Sequence, residues 1–439
     1  MLKEILVEQN VHWIDKQKSY IKRDLLDKLI SYLSLKQIIT ITGIRRCGKS
    51  TLAKDAINYL VESGTDVENI LFVNLEHPYF LEFRHDPNYL GVIYEAYLKL
   101  FNPDGKIYVI FDEIQYFDQW QVYIKSKYES GDIKYIITGS NSSMLSNELN
   151  TLLSGRSLNI HLDTFSFTEF LDFKNIAYRN ELDRISNKIA IYRAKEEYLI
   201  WGGFYEVMEV DDENIKKDIL LSYAKNIIYQ DIVPRYNIRN SEVVERLFFY
   251  LLTTVTGQLN YTTLSDIFDV SDKTIKEYIS YFEDVFLLKR IDKFHNKPKE
   301  RIKSSKKIYA LDNGFIQIAP KHSKNLGNAL ENWVFTVLNA KENDLYYLKD
   351  GKEIDFYEDG ILYQVSYEIA NEKTKKREVE AFYNFSDISK NYCLITFDTR
   401  EEVDGVNVEA IDDYLFTSYV KNKNKLIGKS KRSGFIKKS

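Results

Sequence analysis

Several residue types that define whole classes of protein are scarce in this chain of 439 residues. The two cysteines, Cys47 and Cys393, are too few for a disulfide scaffold or a cysteine-based zinc module. The 6 histidines show no HxH or HxxxH spacing, so we do not expect a histidine-based metal site. With 18 glycines and 6 prolines, the chain is also too poor in both for a collagen-like or low-complexity architecture.

Long apolar runs and a strong charge of one sign are absent as well. The longest runs, such as IYVIF at 107–111, are too short to cross a bilayer, and the N-terminus has no apolar signal region. We therefore expect a cytoplasmic protein with no membrane partner. The formal net charge is −5, so binding to nucleic acid would have to come from local basic patches.

The patterns that are present suggest about three domains. In the first half, short apolar runs rich in β-branched residues alternate with helical stretches, which predicts an α/β domain with a parallel sheet. The predicted strands are 37–42, 70–75, 107–112, 134–138 and 158–162. Residues 165–258 are helical in pattern, 241–312 read as three helices and a β-ribbon, and 327–416 return to mixed α/β. The tail after Val420 has eight Lys and Arg and no acid, which is typical of a solvated segment.

The segment from Gly43 to Thr51 matches the phosphate-binding pattern G-x-x-x-x-G-K-[ST], between a predicted strand and a predicted helix. Glycines let the loop wrap around phosphate, and backbone N–H groups and the helix N-terminus stabilise its charge. The lysine ammonium contacts the β- and γ-phosphates, and the following hydroxyl binds Mg²⁺. The predicted nucleotide-binding residues are Gly43, Arg46, Cys47, Gly48, Lys49, Ser50 and Thr51. Arg45 and Arg46 either contact the nucleotide or bind domain partners, and Cys47 is expected to pack as a small loop residue.

A second motif follows the predicted strand 107–112, which ends in Asp112 and Glu113. Asp112 can hold Mg²⁺ through water together with Ser50, and Glu113 can polarise the attacking water. The second carboxylate favours hydrolysis over nucleotide binding alone. We expect ATP as the nucleotide, because no [NT]KxD motif for reading guanine is present.

Two further catalytic candidates follow. Asn141, with Ser140 as runner-up, comes after the next predicted strand and would lie near the γ-phosphate, although a Ser/Asn-rich turn is also common there. Arg156 would contact the γ-phosphate of its own site or that of a neighbouring subunit, unless it is simply solvated.

The motifs GIRRCGKST, VIFDEIQ, IITGSNSSML, LSGR and DTFSFTEFL resemble the archaeal and bacterial AAA+ ATPases that carry a C-terminal domain of unknown function. Later segments such as YLIWGGFYEV, LGNALENWVF and GKEIDF agree. The resemblance implies that the two motifs are Walker A and Walker B, in a P-loop sheet of strand order 5-1-4-3-2. It further implies a winged-helix region and a small restriction-nuclease-like α/β domain. The expected boundaries are 1–165 for the ATPase core, 166–240 for a helical lid, 241–320 for the winged helix, 321–420 for the nuclease-like domain and 421–439 for a basic flexible tail.

The winged-helix region offers a possible DNA contact. Lys273, Thr274 and Lys276 begin its second long helix, and the ribbon 289–307 holds nine lysines and arginines, including Lys303, Lys306 and Lys307. Such an element binds DNA or packs against protein. The sequence is also compatible with a homo-oligomer or with a protein partner.

The nuclease-like domain lacks part of the expected metal site. Glu331 and Asp355 are present, but the Glu-x-Lys position reads Gln364-Val365-Ser366. A carboxylate that would hold metal and the lysine that would orient water are both missing. We therefore expect this domain to be inactive. The leading hypothesis is a Mg²⁺-dependent ATPase whose nucleotide state repositions the C-terminal domains, and the alternative is a nucleotide-gated DNA- or protein-binding module with little turnover.

Overall fold

The computed structural model describes residues 1–15, 18–130, 133–142, 155–320 and 325–417. The predicted basic tail, 421–439, lies outside them. The chain forms two compact units. The first contains Met1–Phe165 and two later segments, Tyr229–Asn237 and Ser280–Leu287, and the second contains the rest of the described chain.

The first unit is built on a five-stranded parallel sheet. Its order is β2-β3-β4-β1-β5, which confirms the predicted P-loop topology. The strands are β1 (Ile38–Thr42), β2 (Ile70–Asn74), β3 (Ile107–Asp112), β4 (Ile133–Gly139) and β5 (Ser157–His161). All five residues of β1 are buried, because helices cover both faces of a parallel sheet. The carboxyl ends of β1, β3 and β4 consequently meet at one edge of the sheet.

Helices and short 3-10 turns connect these strands. The helices are α1 (Leu2–Gln9), α2 (Leu26–Leu33), α3 (Lys49–Glu62), α4 (Tyr89–Phe101) and α5 (Trp120–Ser130). The 3-10 turns are Val11–Trp13, Val67–Asn69, Pro78–Phe83 and Ile114–Tyr116. Aromatic residues of α4 and of the Pro78–Phe83 turn, such as Tyr97 and Phe80, fill the core beside β2 and β3.

A helical region follows the first sheet and covers both the predicted helical block, 165–258, and the three helices predicted within 241–312. Its helices are α6 (Phe167–Phe173), α7 (Glu181–Ser186), α8 (Lys188–Trp201), α9 (Tyr205–Met208), α10 (Glu213–Asn226), α11 (Ser241–Thr253), α12 (Tyr261–Phe268) and α13 (Asp272–Asp284). A π-helical turn, Ile227–Ile232, follows α10. Helix α6 begins with a capping box, in which Ser166 and Glu169 each accept a backbone N–H from the other.

The second unit holds a mixed sheet of eight strands in the order β12-β13-β11-β10-β9-β8-β6-β7. The strands are β6 (Leu288–Lys293), β7 (Lys306–Ala310), β8 (Tyr346–Asp350), β9 (Lys352–Glu358), β10 (Ile361–Ser366), β11 (Asn391–Thr396), β12 (Glu401–Val403) and β13 (Val406–Ala410). Its helices are α14 (Pro298–Lys303), the 3-10 turn Asn313–Ile318, α15 (Leu326–Asn339), α16 (Glu372–Tyr383) and a last helix over 411–417.

The expected boundary at residue 320 does not separate two sheets. The β6–β7 ribbon forms as predicted, but β6 also pairs in parallel with β8, with Asp292 opposite Tyr346. The pairing satisfies backbone N–H and C=O groups that would otherwise line an open sheet edge. The ribbon therefore belongs to the C-terminal sheet, and its treatment as part of a separate domain was wrong. Among the described residues, no helix has both the length and the apolar character needed to span a bilayer.

Candidate functional site

The phosphate loop runs from β1 to α3 and requires glycine at both ends. Gly43 has a φ of +154°, and a Cβ there would lie 2.0 Å from the backbone oxygen of Leu162. Gly48 has a φ of +99°, a left-handed conformation that favours glycine, and caps the N-terminus of α3. The pattern in the sequence therefore corresponds to a real steric need of the backbone.

Lys49 is buried under this loop, with 3% of its surface exposed. Its Nζ donates to the backbone oxygens of Gly43 and Ile44, each at 3.1 Å, and lies 3.4 Å from Oε1 of Glu113. Burial opposes the charge, but the carboxylate of Glu113 holds the pKa of Lys49 above its usual value. A permanent cation thus lies where the loop would receive phosphate.

Asp112 lies at the end of β3 beside the first turn of α3. Its Oδ1 accepts hydrogen bonds from the hydroxyls of Ser50, at 3.0 Å, and Thr138, at 2.5 Å. Burial and the neighbouring Glu113 raise the pKa of Asp112 to about 6. A bound cation would oppose both of these effects and so favour the ionised form of Asp112. Ser50 and Asp112 together offer two oxygen atoms. Mg²⁺ commonly binds to this few protein groups, because phosphate and water oxygens complete its coordination shell.

Glu113 adopts a left-handed backbone conformation, with a φ of +53°. Its N–H donates to the Thr138 hydroxyl at 3.0 Å, and its carboxylate accepts a hydrogen bond from Gln115, which also donates to Ser140. Burial would raise the pKa of Glu113, but Lys49 holds it below the usual value. Glu113 is therefore an ionised carboxylate next to the lysine of the loop, in a conformation that costs energy and is common at functional sites.

The remaining predicted loop residues differ in exposure. Arg46 is exposed and Thr51 is half-buried. Cys47 is buried, and burial raises the pKa of its thiol, so it packs as a small loop residue. Asn141 is buried with 1% exposure, and its role at the γ-phosphate stays a prediction. The runner-up, Ser140, is linked through Gln115 to Glu113.

Arg156 does not lie near the phosphate loop of its own chain. Its backbone oxygen accepts from Ile38, at the start of β1, whereas the loop follows Thr42 at the other end. At about 3.3 Å per residue, the two ends of β1 are roughly 13 Å apart. The guanidinium pairs instead with Glu129 at 2.8 Å. The prediction of a contact with its own γ-phosphate was wrong, because β5 is parallel to β1 and begins at the opposite edge of the sheet.

Two contacts to the loop were missed by sequence reasoning. Arg23, which is buried, donates to the backbone oxygen of Cys47 at 2.7 Å and to that of Asp163 at 2.8 Å. Arg45 pairs with the carboxylates of Glu76 and Asp231. Glu76 follows β2, where the sequence indicates at most an alternative base, and Asp231 lies in the family-like segment YQDIV. Neither sequence position indicates a contact with the loop, because both partners come from distant parts of the chain.

A second cluster of charges lies in the C-terminal sheet. Nζ of Lys307, in β7, is 2.7 Å from Glu353, 3.1 Å from Glu331 and 3.6 Å from Asp355. Lys307 is 3% exposed, so its predicted place on an exposed basic wing was wrong. In β10, Gln364 donates to Glu378 at 2.7 Å and Ser366 donates to the backbone oxygen of Glu368. Glu331 and Asp355, the two acidic residues that the incomplete nuclease-like site retains, are thus brought together with a lysine between them.

Two protein families match parts of the chain. Residues 35–171 match the family described as AAA domain, and residues 192–325 match the domain of unknown function DUF8612. An uncharacterized protein of Haemophilus influenzae is 33% identical over 415 residues, covering 91% of this chain and 99% of the relative. An uncharacterized protein of Methanocaldococcus jannaschii is 32% identical over 382 residues, covering 84% of this chain and 82% of the relative.

The solved structures that match the chain have lower sequence identity and low TM-scores. The Aeropyrum pernix ORC1 protein in complex with DNA is 12% identical, with a TM-score of 0.33, covering 70% of this chain and 92% of that one. The PCH-2 protein of C. elegans is 13% identical, with a TM-score of 0.30, covering 59% and 71%.

Proposed function

The chain belongs to the family of AAA-domain proteins that includes these Haemophilus and Methanocaldococcus relatives, and we propose that it binds Mg²⁺·ATP and hydrolyses it. Lys49 and the loop backbone would bind the phosphates, and Ser50 and Asp112 would hold the metal ion. Glu113 accepts a proton from the attacking water. When bound, Mg²⁺ would supply positive charge that stabilises the phosphoryl group during its transfer.

One observation carries this proposal: the Glu113 carboxylate, whose pKa Lys49 holds below its usual value, lies 3.4 Å from this lysine of the phosphate loop. A base in hydrogen-bonding reach of the lysine that binds the γ-phosphate is also close to the water that attacks it. Asn141 is assigned to the same region. Arg156 would act on the site of a neighbouring subunit, which requires a homo-oligomer.

Two variants test the assignment. Lys49→Ala should abolish nucleotide binding, because it removes the buried cation. Glu113→Gln should keep ATP bound but lose hydrolysis, because the amide cannot accept the proton while Ser50 and Asp112 remain. ATP affinity and phosphate release are the measurements. Turnover at the wild-type rate in Glu113→Gln would transfer the role of base to another group.

The second candidate is a nucleotide-gated binding module for DNA or protein. It is favoured by the exposed lysines Lys297, Lys299 and Lys303 next to the β6–β7 ribbon. Together with α11, α12 and α13, this ribbon would form a winged helix. In both candidates the nucleotide state of the first unit is transmitted to the second. An ATPase assay with and without DNA separates the two.

The restriction-nuclease-like part of the second unit is proposed to be inactive. Lys307 lies between Glu331, Glu353 and Asp355 and already supplies a positive charge to this carboxylate cluster. Gln364 and Ser366 are engaged with Glu378 and a backbone oxygen. We expect no cleavage of single- or double-stranded DNA with Mg²⁺ or Mn²⁺. Cleavage that is reproducible and disappears in Asp355→Ala would contradict this.

A further inference from the structure

Arg45, the third residue of the phosphate loop, is held by two carboxylates from distant segments of the first unit. Its Nη1 donates to Oδ1 of Asp231 at 2.9 Å and to the Tyr116 hydroxyl at 3.3 Å. Its Nη2 donates to Glu76, which also accepts a hydrogen bond from Tyr116 at 3.2 Å. The guanidinium is therefore fixed from several directions by protein side chains alone.

Asp231 is mostly buried, with 11% of its side chain exposed. Its second oxygen, Oδ2, has no hydrogen-bond partner among the described residues. Burial raises the pKa of Asp231 to about 6 against the opposing effect of Arg45, and the charges of Glu113 and Lys49 also act on it. Asp231 and Arg45 therefore lie within electrostatic reach of the residues assigned to the γ-phosphate and the water.

Arg45 can keep these partners and still contact a phosphate. A guanidinium has five N–H donors in a fixed fork, and the described contacts use the two terminal nitrogens for three acceptors. An arginine whose orientation is already fixed loses little side-chain entropy when it binds.

We propose that Asp231 and Glu76 are positioning residues, which hold Arg45 for the γ-phosphate and so make the site prefer ATP to ADP. This inference rests on the proposed nucleotide site but does not require hydrolysis. A purely structural ion pair would instead stabilise the loop for both nucleotides alike. The ratio of the two affinities therefore separates the roles.

The test measures Kd for ADP and for the non-hydrolysable analogue AMP-PNP, both with Mg²⁺. Arg45→Gln should weaken AMP-PNP binding by about 10- to 100-fold, the usual effect of losing a charge-assisted hydrogen bond, and leave ADP binding nearly unchanged. Asp231→Asn should give a smaller change in the same ratio, because Arg45 remains but is less well oriented. In the double variant, Asp231→Asn should add nothing to Arg45→Gln.

A matched control is Asp172→Asn, which removes another carboxylate partner of an arginine, Arg179, in the second unit. It should leave both affinities unchanged. Glu76→Gln provides a second positioning variant if Asp231→Asn does not fold, as judged by its circular dichroism spectrum and melting curve.

Three results would overturn the inference. Equal loss of ADP and AMP-PNP in Arg45→Gln would make Arg45 a structural or general phosphate contact. An undiminished effect of Asp231→Asn in the Arg45→Gln background would show that Asp231 does not act through Arg45. Failure of the wild type to bind either nucleotide would remove the proposed site itself, whereas binding without turnover would remove only the hydrolysis and leave this inference standing.

Discussion

At the scale of single residues, the buried charged side chains differ in whether an opposite charge and hydrogen-bond partners surround them. Lys49 and Lys307 each lie beside carboxylates, whereas Asp55, in α3, has a carboxylate oxygen with no hydrogen-bond partner among the described residues. A buried charge is tolerated when an opposite charge and hydrogen bonds compensate for the lost hydration. The same substitution, from charged to neutral, should therefore have opposite effects at these positions.

Replacing Lys307 with methionine should destabilise the second unit. The change leaves Glu331, Glu353 and Asp355 close together without their cation, and breaking a buried pair in this way costs about 3–5 kcal/mol. Chemical denaturation measures the free energy of unfolding. Lys303→Met, at an exposed position close by, is the control and should resemble the wild type. Equal stability of the two variants would contradict the compensating role of Lys307.

Replacing Asp55 with asparagine should stabilise the first unit at neutral pH. Burial raises the pKa of Asp55 to about 6, above the value of about 3.9 expected in an unfolded chain. Between about pH 4 and pH 6 the carboxyl is therefore protonated in the folded state but ionised in the unfolded state. As the pH rises through this range, the folded state loses this proton and the wild type becomes less stable. The asparagine variant avoids this loss and should gain about 1–2 kcal/mol at pH 7.5, after allowance for partial burial.

The control for Asp55→Asn is the same comparison of unfolding free energies at acidic pH. At pH 3.5 the carboxyl is mostly protonated in both states, so the gain in the free energy of unfolding should be close to zero. A gain that is the same at both pH values would have to come from packing or helix propensity and not from the charge.

At the scale of elements, the strands of the first sheet could be predicted almost to the residue. Each is a short β-branched run followed by a glycine, an acid or a polar turn. Because both faces of such a strand are buried, the run is apolar throughout and stands out from its polar flanks. The β6–β7 ribbon was also predicted, but its pairing with β8 was not, since backbone pairing at a sheet edge leaves no signature in the side chains. The buried state of Lys307 follows from that pairing and was missed with it.

Helix α14 and the residue before it should carry any DNA contact of the ribbon. Lys297, Lys299 and Lys303 are exposed, whereas Lys307 is buried and Lys306 pairs with Asp292 at 2.6 Å. Reversing the three exposed lysines to glutamate should weaken binding to all DNA sequences about equally and flatten its dependence on salt, because fewer counterions are released. Fluorescence anisotropy at several salt concentrations measures both effects.

A matched reversal of exposed lysines elsewhere in the second unit provides the comparison. Lys373, Lys376 and Lys390 lie in or after α16 and are exposed. Changing them to glutamate alters the net charge by the same amount. An equal loss of DNA affinity in this variant would mean that overall charge, and not the ribbon, governs the binding.

At the scale of the whole molecule, the eight-stranded sheet determines where the chain can be divided. A fragment of residues 321–439 lacks β6 and β7, so it exposes the edge of β8 and loses Lys307 from the carboxylate cluster. We expect this fragment to aggregate or remain unfolded, because open strand edges pair with other chains. A fragment of residues 166–439 keeps the whole sheet and should unfold cooperatively. A soluble, cooperatively unfolding 321–439 fragment would contradict this.

Some residues of the candidate site could be predicted from the sequence, and others could not. Lys49, Ser50, Asp112 and Glu113 lie in compact motifs whose residue types follow from phosphate and metal chemistry. Asp231 lies in no such motif, and it reaches Arg45 only because the segment Tyr229–Asn237 returns to the first unit. The error for Arg156 has a related cause, since its sequence position just before β5 does not say which end of the sheet it occupies.

The return of that segment has a consequence for the time at which the site is completed. Arg45 and Asp231 are 186 residues apart. A ribosome adding about 5–20 residues per second needs roughly 10–40 s to cover that interval. During it, the emerging phosphate loop has Glu76 within the synthesised chain but not the second carboxylate, so Arg45 reaches its final set of partners only after half of the protein has been made.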